Sequence, residues 1–434
     1  GQDPANPTDP EFTGCTPDEP GPFVFFDTDI PESLAQDQLS YFLELNLPIH
    51  DRFYMTAATR YEEFSPGDLD ATVYKVSFKA DATENLSFRG SYGTNYQAPG
   101  LGITPGEVTN GVNSYTIAAG NWRGAQTITQ SGIEPETATV WNVGGIWQSR
   151  GFADDHDFRF ILDYWDIETE DELGLLASAN DIADAVFSIA PPGATGVPLD
   201  GSALANCSHA LAYRVTFNGN CVQDTTTAAD FSNITTDYGN GPGQMTNGFD
   251  ISMNYSMPAF QGELSFRLTA TKIQEFEETP TILDGVTLDP GTDRLGNLNF
   301  ATIAFAASEW RANFHANYAW GLHNARVVLN YVSGVDDDRY FNADGSLNVA
   351  ALVPEGRKPG TTEPFDPSYY GVRADDWISL DVHYNVDLPF GTVSASIVNL
   401  TDEDPPESRQ ELGYDPRIGN ALGRQFEIGF RREF

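Results

Sequence analysis

Apolar and polar residues alternate at every second position along most of this chain. In the last segment Phe426, Ile428, Phe430 and Phe434 share one side, while Gln425, Glu427, Gly429, Arg431 and Glu433 share the other. Phe249, Ile251, Met253, Tyr255 and Met257 alternate in the same way with Asp250, Ser252, Asn254 and Ser256. Between Trp310 and Trp320 the odd positions are Arg311, Asn313, His315 and Asn317, and Ile378 to Val386 opposes Ser379, Asp381, His383 and Asn385. Successive side chains of a strand point to opposite faces, so this period predicts strands with one greasy face and one wet face. About thirteen such segments are present, each near the length that a tilted membrane strand requires. They centre near residues 43, 57, 76, 89, 143, 162, 251, 268, 314, 328, 382, 396 and 429.

The connections alternate in length. Short turns are expected at Pro48 to Asp51, Asp81 to Asn85, Pro258 to Gly262, Gly321 to Asn324 and Leu388 to Gly391. Between them run long polar stretches, roughly Asn95 to Glu136, Glu170 to Pro242, Gln274 to Glu309, Gly334 to Asp375 and Thr401 to Leu422. Short and long connections must lie at opposite ends of the strands, the asymmetry of outer-membrane barrels with short periplasmic turns and long extracellular loops. A soluble sandwich would have short turns at both ends, and a propeller would repeat a blade motif that is absent here. Tyr41, Tyr54, Trp147, Tyr164, Tyr255, Tyr318, Trp320 and Tyr384 fall near strand ends, where amphipathic rings mark the lipid headgroup level.

Composition agrees with that picture. The chain of 434 residues has 63 acidic against 23 basic residues and a formal net charge of -40, which excludes a nucleic-acid binder, while 12% aromatic content excludes a disordered chain. No run of about 18 apolar residues is present, so a helical membrane protein is excluded and a barrel is not. Cys207 and Cys221 bracket a short polar segment, which in an oxidising compartment predicts a loop disulfide, with two free thiols as the alternative. Cys15 is left over. Residues 1–36 are expected to be an extracellular loop segment and 37–434 the barrel. An odd strand count leaves the first and last strands needing partners outside the chain, since open edges are not tolerated in lipid.

Several motifs resemble TonB-dependent receptors. Leu86-Ser-Phe-Arg-Gly-Ser-Tyr-Gly-Thr-Asn-Tyr-Gln-Ala-Pro99 is similar to the strand that enters the family's Phe-Arg-Ala-Pro corner, with Tyr96-Gln97-Ala98-Pro99 in its place. Ile133-Glu-Pro-Glu-Thr-Ala-Thr139 and Gly248-Phe249-Asp250 resemble two of its strand starts. The ordered set Val398-Asn-Leu-Thr-Asp-Glu-Asp-Pro-Pro406, Tyr414-Asp-Pro416, Gly423-Arg-Gln-Phe-Glu-Ile-Gly-Phe430 and terminal Phe434, the barrel-assembly signal, resembles the family's C-terminus. The resemblance implies an all-β transmembrane antiparallel barrel, this chain being about the last thirteen strands of a 22-stranded barrel whose globular plug precedes Gly1 or is another chain. It further implies uptake of a scarce nutrient such as an iron chelate or carbohydrate, driven by a TonB-type energy-coupling complex, without enzymatic turnover. A passive porin-like channel and a surface adhesin are the alternatives.

Substrate is expected where the long loops meet the plug. Tyr96, Gln97, Trp122, Arg123, Tyr238, Asn240, Arg339 and Tyr340 are the stacking and hydrogen-bonding candidates, against ordinary loop packing. Asp336, Asp338, Asn342 and Asp344 bring oxygen ligands close enough in sequence for a Ca²⁺ ion, against a solvated acidic loop; the pattern of an EF-hand is incomplete. The six histidines are scattered and form no metal-ligand spacing, so no resident cofactor is expected. Partners expected are the lipid bilayer, lipopolysaccharide cross-bridged by divalent ions, and a surface lipoprotein over the loops.

Overall fold

The computed structural model describes residues 35–65, 69–101, 103–150, 155–194, 196–299, 306–337, 373–408 and 412–432. Among them, thirteen long strands pair in chain order in one antiparallel sheet, and every expected centre falls inside one. They are β1 (Asp37–His50), β2 (Phe53–Ser65), β3 (Leu69–Asp81), β4 (Leu86–Gln97), β5 (Glu136–Arg150), β6 (Asp157–Glu170) and β7 (Gln244–Ala259). There follow β8 (Gly262–Glu278), β9 (Trp310–Trp320), β10 (His323–Val332), β11 (Trp377–Leu388), β12 (Gly391–Val398) and β13 (Gln425–Arg431). Each pairing is antiparallel, so β1 and β13 run in the same direction, and the described sheet does not close on itself.

Register turns the alternation into two chemically distinct walls. One row on the outer face runs Leu86, Trp147, Phe160, Met253, Leu268, Phe314, Leu329 and Leu380 across eight strands. A row on the opposite face runs Arg89, Gly144, Asp163, Asp250, Thr271 and Arg311. Outer side chains such as Ile428 and Phe426 are 88% and 72% exposed, which for a continuous apolar band demands lipid rather than water.

Rings mark both ends of that band. On the turn side Trp147, Phe158 and Tyr255 follow one another at 5.0 and 6.2 Å, and Trp320 lies between Tyr318 and His323 at 4.9 and 5.3 Å. On the loop side Tyr164 packs against Trp141 and Phe249, both at 5.1 Å. Tyr54 does not belong to this belt. It pairs with Lys79 and donates to Asn46 Oδ1 at 2.6 Å, both on the polar face, because one residue of register inverts the side a ring takes.

The long connections are not simply solvated. Those after β4, β6 and β8 fold together into a cap with the deepest core of the described residues: Tyr115, Ile182, Val186, Phe187, Leu211, Phe231 and Ile234 are fully buried. Its sheet has the order Val215–Phe217, Phe231–Asn240, Asn121–Thr129, Val108–Tyr115, the two middle strands being parallel. Helix α1 (Ala179–Val186) closes it, started by a capping box in which Ser178 and Asp181 satisfy each other's backbone N–H. Leu283, from the connection after β8, is 3% exposed in the same core. Arg214 ties the hairpin bearing it to the rest: Nη2 meets Asp237 at 2.8 Å and Nε meets Asp284 at 2.7 Å, with the Arg214 side chain only 7% exposed. The Cys207–Cys221 disulfide is present, with Cα atoms 5.7 Å apart, and braces the segment beside α1.

Two outcomes follow for the cap. Replacing both Cys207 and Cys221 by serine frees a loop of 14 residues and costs about 3 kcal/mol of cap stability, read as faster hydrogen exchange of cap amides with barrel strands unchanged. Arg214→Ala strands two carboxylates and costs about 3 kcal/mol, the low end for a buried pair because Asp284 is partly open to solvent. Arg214 holds the Asp284 carboxyl below the usual carboxylate range, so this stabilisation is complete above the unfolded value of about 3.9 and is lost as pH falls through the depressed one. Cap exchange in Arg214→Ala is therefore expected to lose that acid-induced step. An unchanged step would show that the pair is not what holds the hairpin.

Candidate functional site

Two surfaces carry chemistry: the open face of the cap sheet and the polar wall of the barrel sheet. On the cap, alternation sends Arg123, Tyr115, Ile234 and Thr236 toward the core and Trp122, Gln126, Asn110 and Thr235 to the other face. Trp122 is 66% exposed there, opposite Ser114. Gln126 Nε2 donates to Asn110 Oδ1 at 2.9 Å, and Thr235 Oγ1 donates to Gln126 Oε1 at 3.4 Å, a neutral ladder of amides and a hydroxyl beside the indole. Gly124 permits the close approach of the neighbouring strand, since a Cβ there would lie 2.6 Å from Asn233 Oδ1.

The sequence candidates divide by what the fold does with them. Arg123 serves the core: Nη1 donates to the Phe231 carbonyl at 2.5 Å, and the guanidinium stacks 4.7 Å from the Phe231 ring. Tyr115 beneath it donates to the Gly124 carbonyl, and burial pushes its phenol up to about 12. Asn240 is a clamp whose amide donates to the Glu134 and Asp171 carbonyls at 2.8 and 2.9 Å and accepts from the Glu134 N–H. Tyr238 is half-buried on the same strand, its carbonyl accepting from the Gln130 N–H. Tyr96 packs edge-on against Phe64 at 6.0 Å, and Gln97 ends β4 opposite Glu136. Of these, Trp122 and Gln97 are exposed, and Trp122 is the aromatic one.

Asp336 is engaged by Arg373, whose Nε and Nη2 donate to its two oxygens at 2.5 and 3.0 Å. Asp338, Arg339, Tyr340, Asn342, Asp344, Cys15 and Phe434 lie outside the described residues. Among the described residues no group of three or more His, Cys, Asp or Glu side chains could hold a metal ion.

The polar wall holds an ion pair that spans three strands. Arg89 Nε and Nη2 donate to Asp163 Oδ1 and Oδ2 at 2.9 and 2.5 Å, reaching across Gly144. Any side chain at Gly144 would collide with the Asp163 carboxylate. Nearer the turns, Arg159, Arg267 and Arg326 share the same wall, with Arg267 Nε on Asn254 Oδ1 at 3.0 Å. Sequence parity put polar groups on this face; it did not show which of them meet.

The motif residues near the C-terminus turn out to be backbone clamps. Asn399 adopts a left-handed φ of 53°, its N–H donates to Asp381 Oδ1 at 2.8 Å, and its side chain exchanges two hydrogen bonds with the Glu403 backbone at 2.9 Å each. Asp415, 1% exposed, accepts from the Arg417 N–H at 2.7 Å and holds Ile418 in a second small core with Leu298 and Val335.

Residues 2–400 match the family described as TonB dependent receptor-like, beta-barrel. In structure the chain is similar to a ferric enterobactin receptor of Pseudomonas aeruginosa (TM-score 0.52, 12% identity, 90% of this chain and 44% of that one). It is equally similar to a siderophore receptor, PirA, of Acinetobacter baumannii (TM-score 0.52, 12% identity, 91% and 45%). The chain therefore spans less than half the length of these receptors, and at such identity the likeness concerns the fold. No curated protein matches it in sequence. With the family match covering nearly the whole chain, and the open antiparallel sheet and long loops beneath it, this chain belongs to the TonB-dependent receptor-like β-barrels.

Proposed function

We propose that this chain supplies about the last thirteen strands of a 22-stranded, plugged outer-membrane barrel that imports a scarce nutrient with energy from a TonB-type complex. The observation that carries the reading is the family match over residues 2–400 on a sheet whose first and last strands run parallel. An all-antiparallel barrel needs an even number of strands, and unpaired edges are excluded from hydrocarbon, so the missing pairing partners lie outside this chain. The share of 44% of a receptor's length supports the same reading. The long loops are extracellular, and the cap is where the nutrient first meets the protein.

Within the cap, Trp122 and the neutral Asn110, Gln126 and Thr235 ladder are the contact surface. An indole face beside amides suits a sugar or an organic chelate, both of which offer flat or hydroxylated surfaces for stacking and hydrogen bonding. Arg123 and Asn240 support that surface from within.

The test is growth of a strain lacking the full-length receptor on iron chelates, sugars or peptides as sole source, repeated with the coupling complex disabled. Loss of growth on one nutrient in both strains supports the reading; growth that survives without coupling sinks it in favour of a passive channel. In the complemented strain, Trp122→Ala is expected to weaken nutrient binding by about tenfold, the scale of an exposed aromatic anchor, with cap folding intact. Unchanged affinity would move the contact surface elsewhere on the loops.

A further inference from the structure

The cap separates its charges by depth. Its three connections, residues 98–135, 171–243 and 279–309, hold fourteen carboxylates against three arginines and no lysine. Eleven of those carboxylates are exposed, Glu107, Asp184, Asp224 and Asp293 among them. The arginines are turned inward. Arg214 and Arg294 are buried and already hold carboxylates, Arg214 those of Asp237 and Asp284 and Arg294 that of Glu278 at 2.5 Å. Arg123 is half-buried, its guanidinium on the Phe231 ring and its Nη1 on the Phe231 carbonyl. Among the described residues the cap therefore presents no exposed lysine or arginine to an arriving molecule.

The open face of the cap sheet is neutral. Along its two outer strands Val108, Asn110 and Val112 stand opposite Ile128, Gln126 and Gly124, with Trp122 opposite Ser114. Val108 and Val112 are each 46% exposed, so apolar C–H surface flanks the amides on the same side as the indole. Asn110 Oδ1 accepts from Gln126 Nε2, which leaves the Asn110 amide N–H groups as donors on an exposed side chain. Asp237, further along, is held by Arg214. From Trp122 to Gln126 the strand runs about 13 Å, more than one sugar ring in length.

We propose that this face takes an uncharged carbohydrate of more than one ring, and that the carboxylates around it turn away anionic iron chelates. Each sugar hydroxyl both donates and accepts, as do the Asn110 and Gln126 amides and the Thr235 hydroxyl, while the C–H face of a ring stacks on Trp122. An anionic chelate needs guanidinium or ammonium donors, and the cap keeps its arginines inside. A cation would be drawn in by the field but would find no free carboxylate among these side chains. The assignment rests on the proposed function and narrows its nutrient. The likeness to a ferric enterobactin receptor, at 12% identity, concerns the fold and does not fix what this cap binds.

The experiment measures binding to the full-length receptor in detergent by titration calorimetry. The probes are maltotetraose, xylotetraose and N-acetylchitotetraose as uncharged sugars, deacetylated chitotetraose as a cation and ferric tris-catecholate as an anion. At least one uncharged sugar is expected to bind, with an affinity that changes less than about twofold between low and high salt, because no charge pair is screened. Trp122→Ala and, separately, Asn110→Ala are expected to weaken it about tenfold, with hydrogen exchange of the cap amides reporting that the cap stays folded. Ferric tris-catecholate is expected not to bind at low salt. The assignment is overturned if no uncharged sugar binds, if either charged probe binds more tightly than all of them, or if both variants fold and bind as wild type does. Uptake of the bound sugar by cells, with and without the coupling complex, is read separately. Binding with uptake that ignores coupling leaves the carbohydrate face standing and sinks the importer reading; coupled growth on ferric tris-catecholate without sugar binding does the reverse.

Discussion

Inside hydrocarbon there is no water to hydrogen-bond a peptide N–H or C=O, and each unpartnered group costs several kcal/mol. The barrel sheet, and through it the placement of the loops, depends on that constraint. It forces β1 to β13 into one continuous antiparallel ladder, and the ladder then fixes which side chains sit side by side. The outer row from Leu86 to Leu380 and the inner row from Arg89 to Arg311 are products of register, not of attraction between their members. A shift of one residue in any strand would carry its arginines into lipid and its leucines into the lumen.

The cap obeys a different rule. Outside the bilayer the chain is surrounded by water, and long connections stay ordered only if they bury enough apolar surface to offset their conformational entropy. Three connections share one core, most of it from the second: Tyr115 comes from the first, Phe187 and Phe231 from the second, Leu283 from the third. Arg214 and the Cys207–Cys221 bridge are braces on that shared core. A consequence is that the three loops pack as one body.

The lumenal wall connects the two regions. Where Arg89 and Asp163 pair across Gly144, the wall is self-sufficient. Nearer the turns, Arg267 and Arg326 hydrogen-bond to the amides of Asn254 and Asn317 instead.

Alternation, turn spacing and loop asymmetry were local properties, so the sequence alone determined the strands, the two faces, the membrane and the Cys207–Cys221 bridge, whose partners lie only 14 residues apart. The family motifs were legible for a related reason: Asn399 and Asp415 clamp their own loops, and such work leaves a fixed local signature. What the sequence did not determine was anything requiring register or distant partners. Tyr54 looked like a belt residue and lies on the polar face, Arg123 and Asn240 looked like contact residues and bond to backbone carbonyls within the cap, and the Arg214 hub joins positions up to 70 residues apart. Periodicity reports which side of a strand a residue takes, but only the tertiary ladder decides what lies across from it.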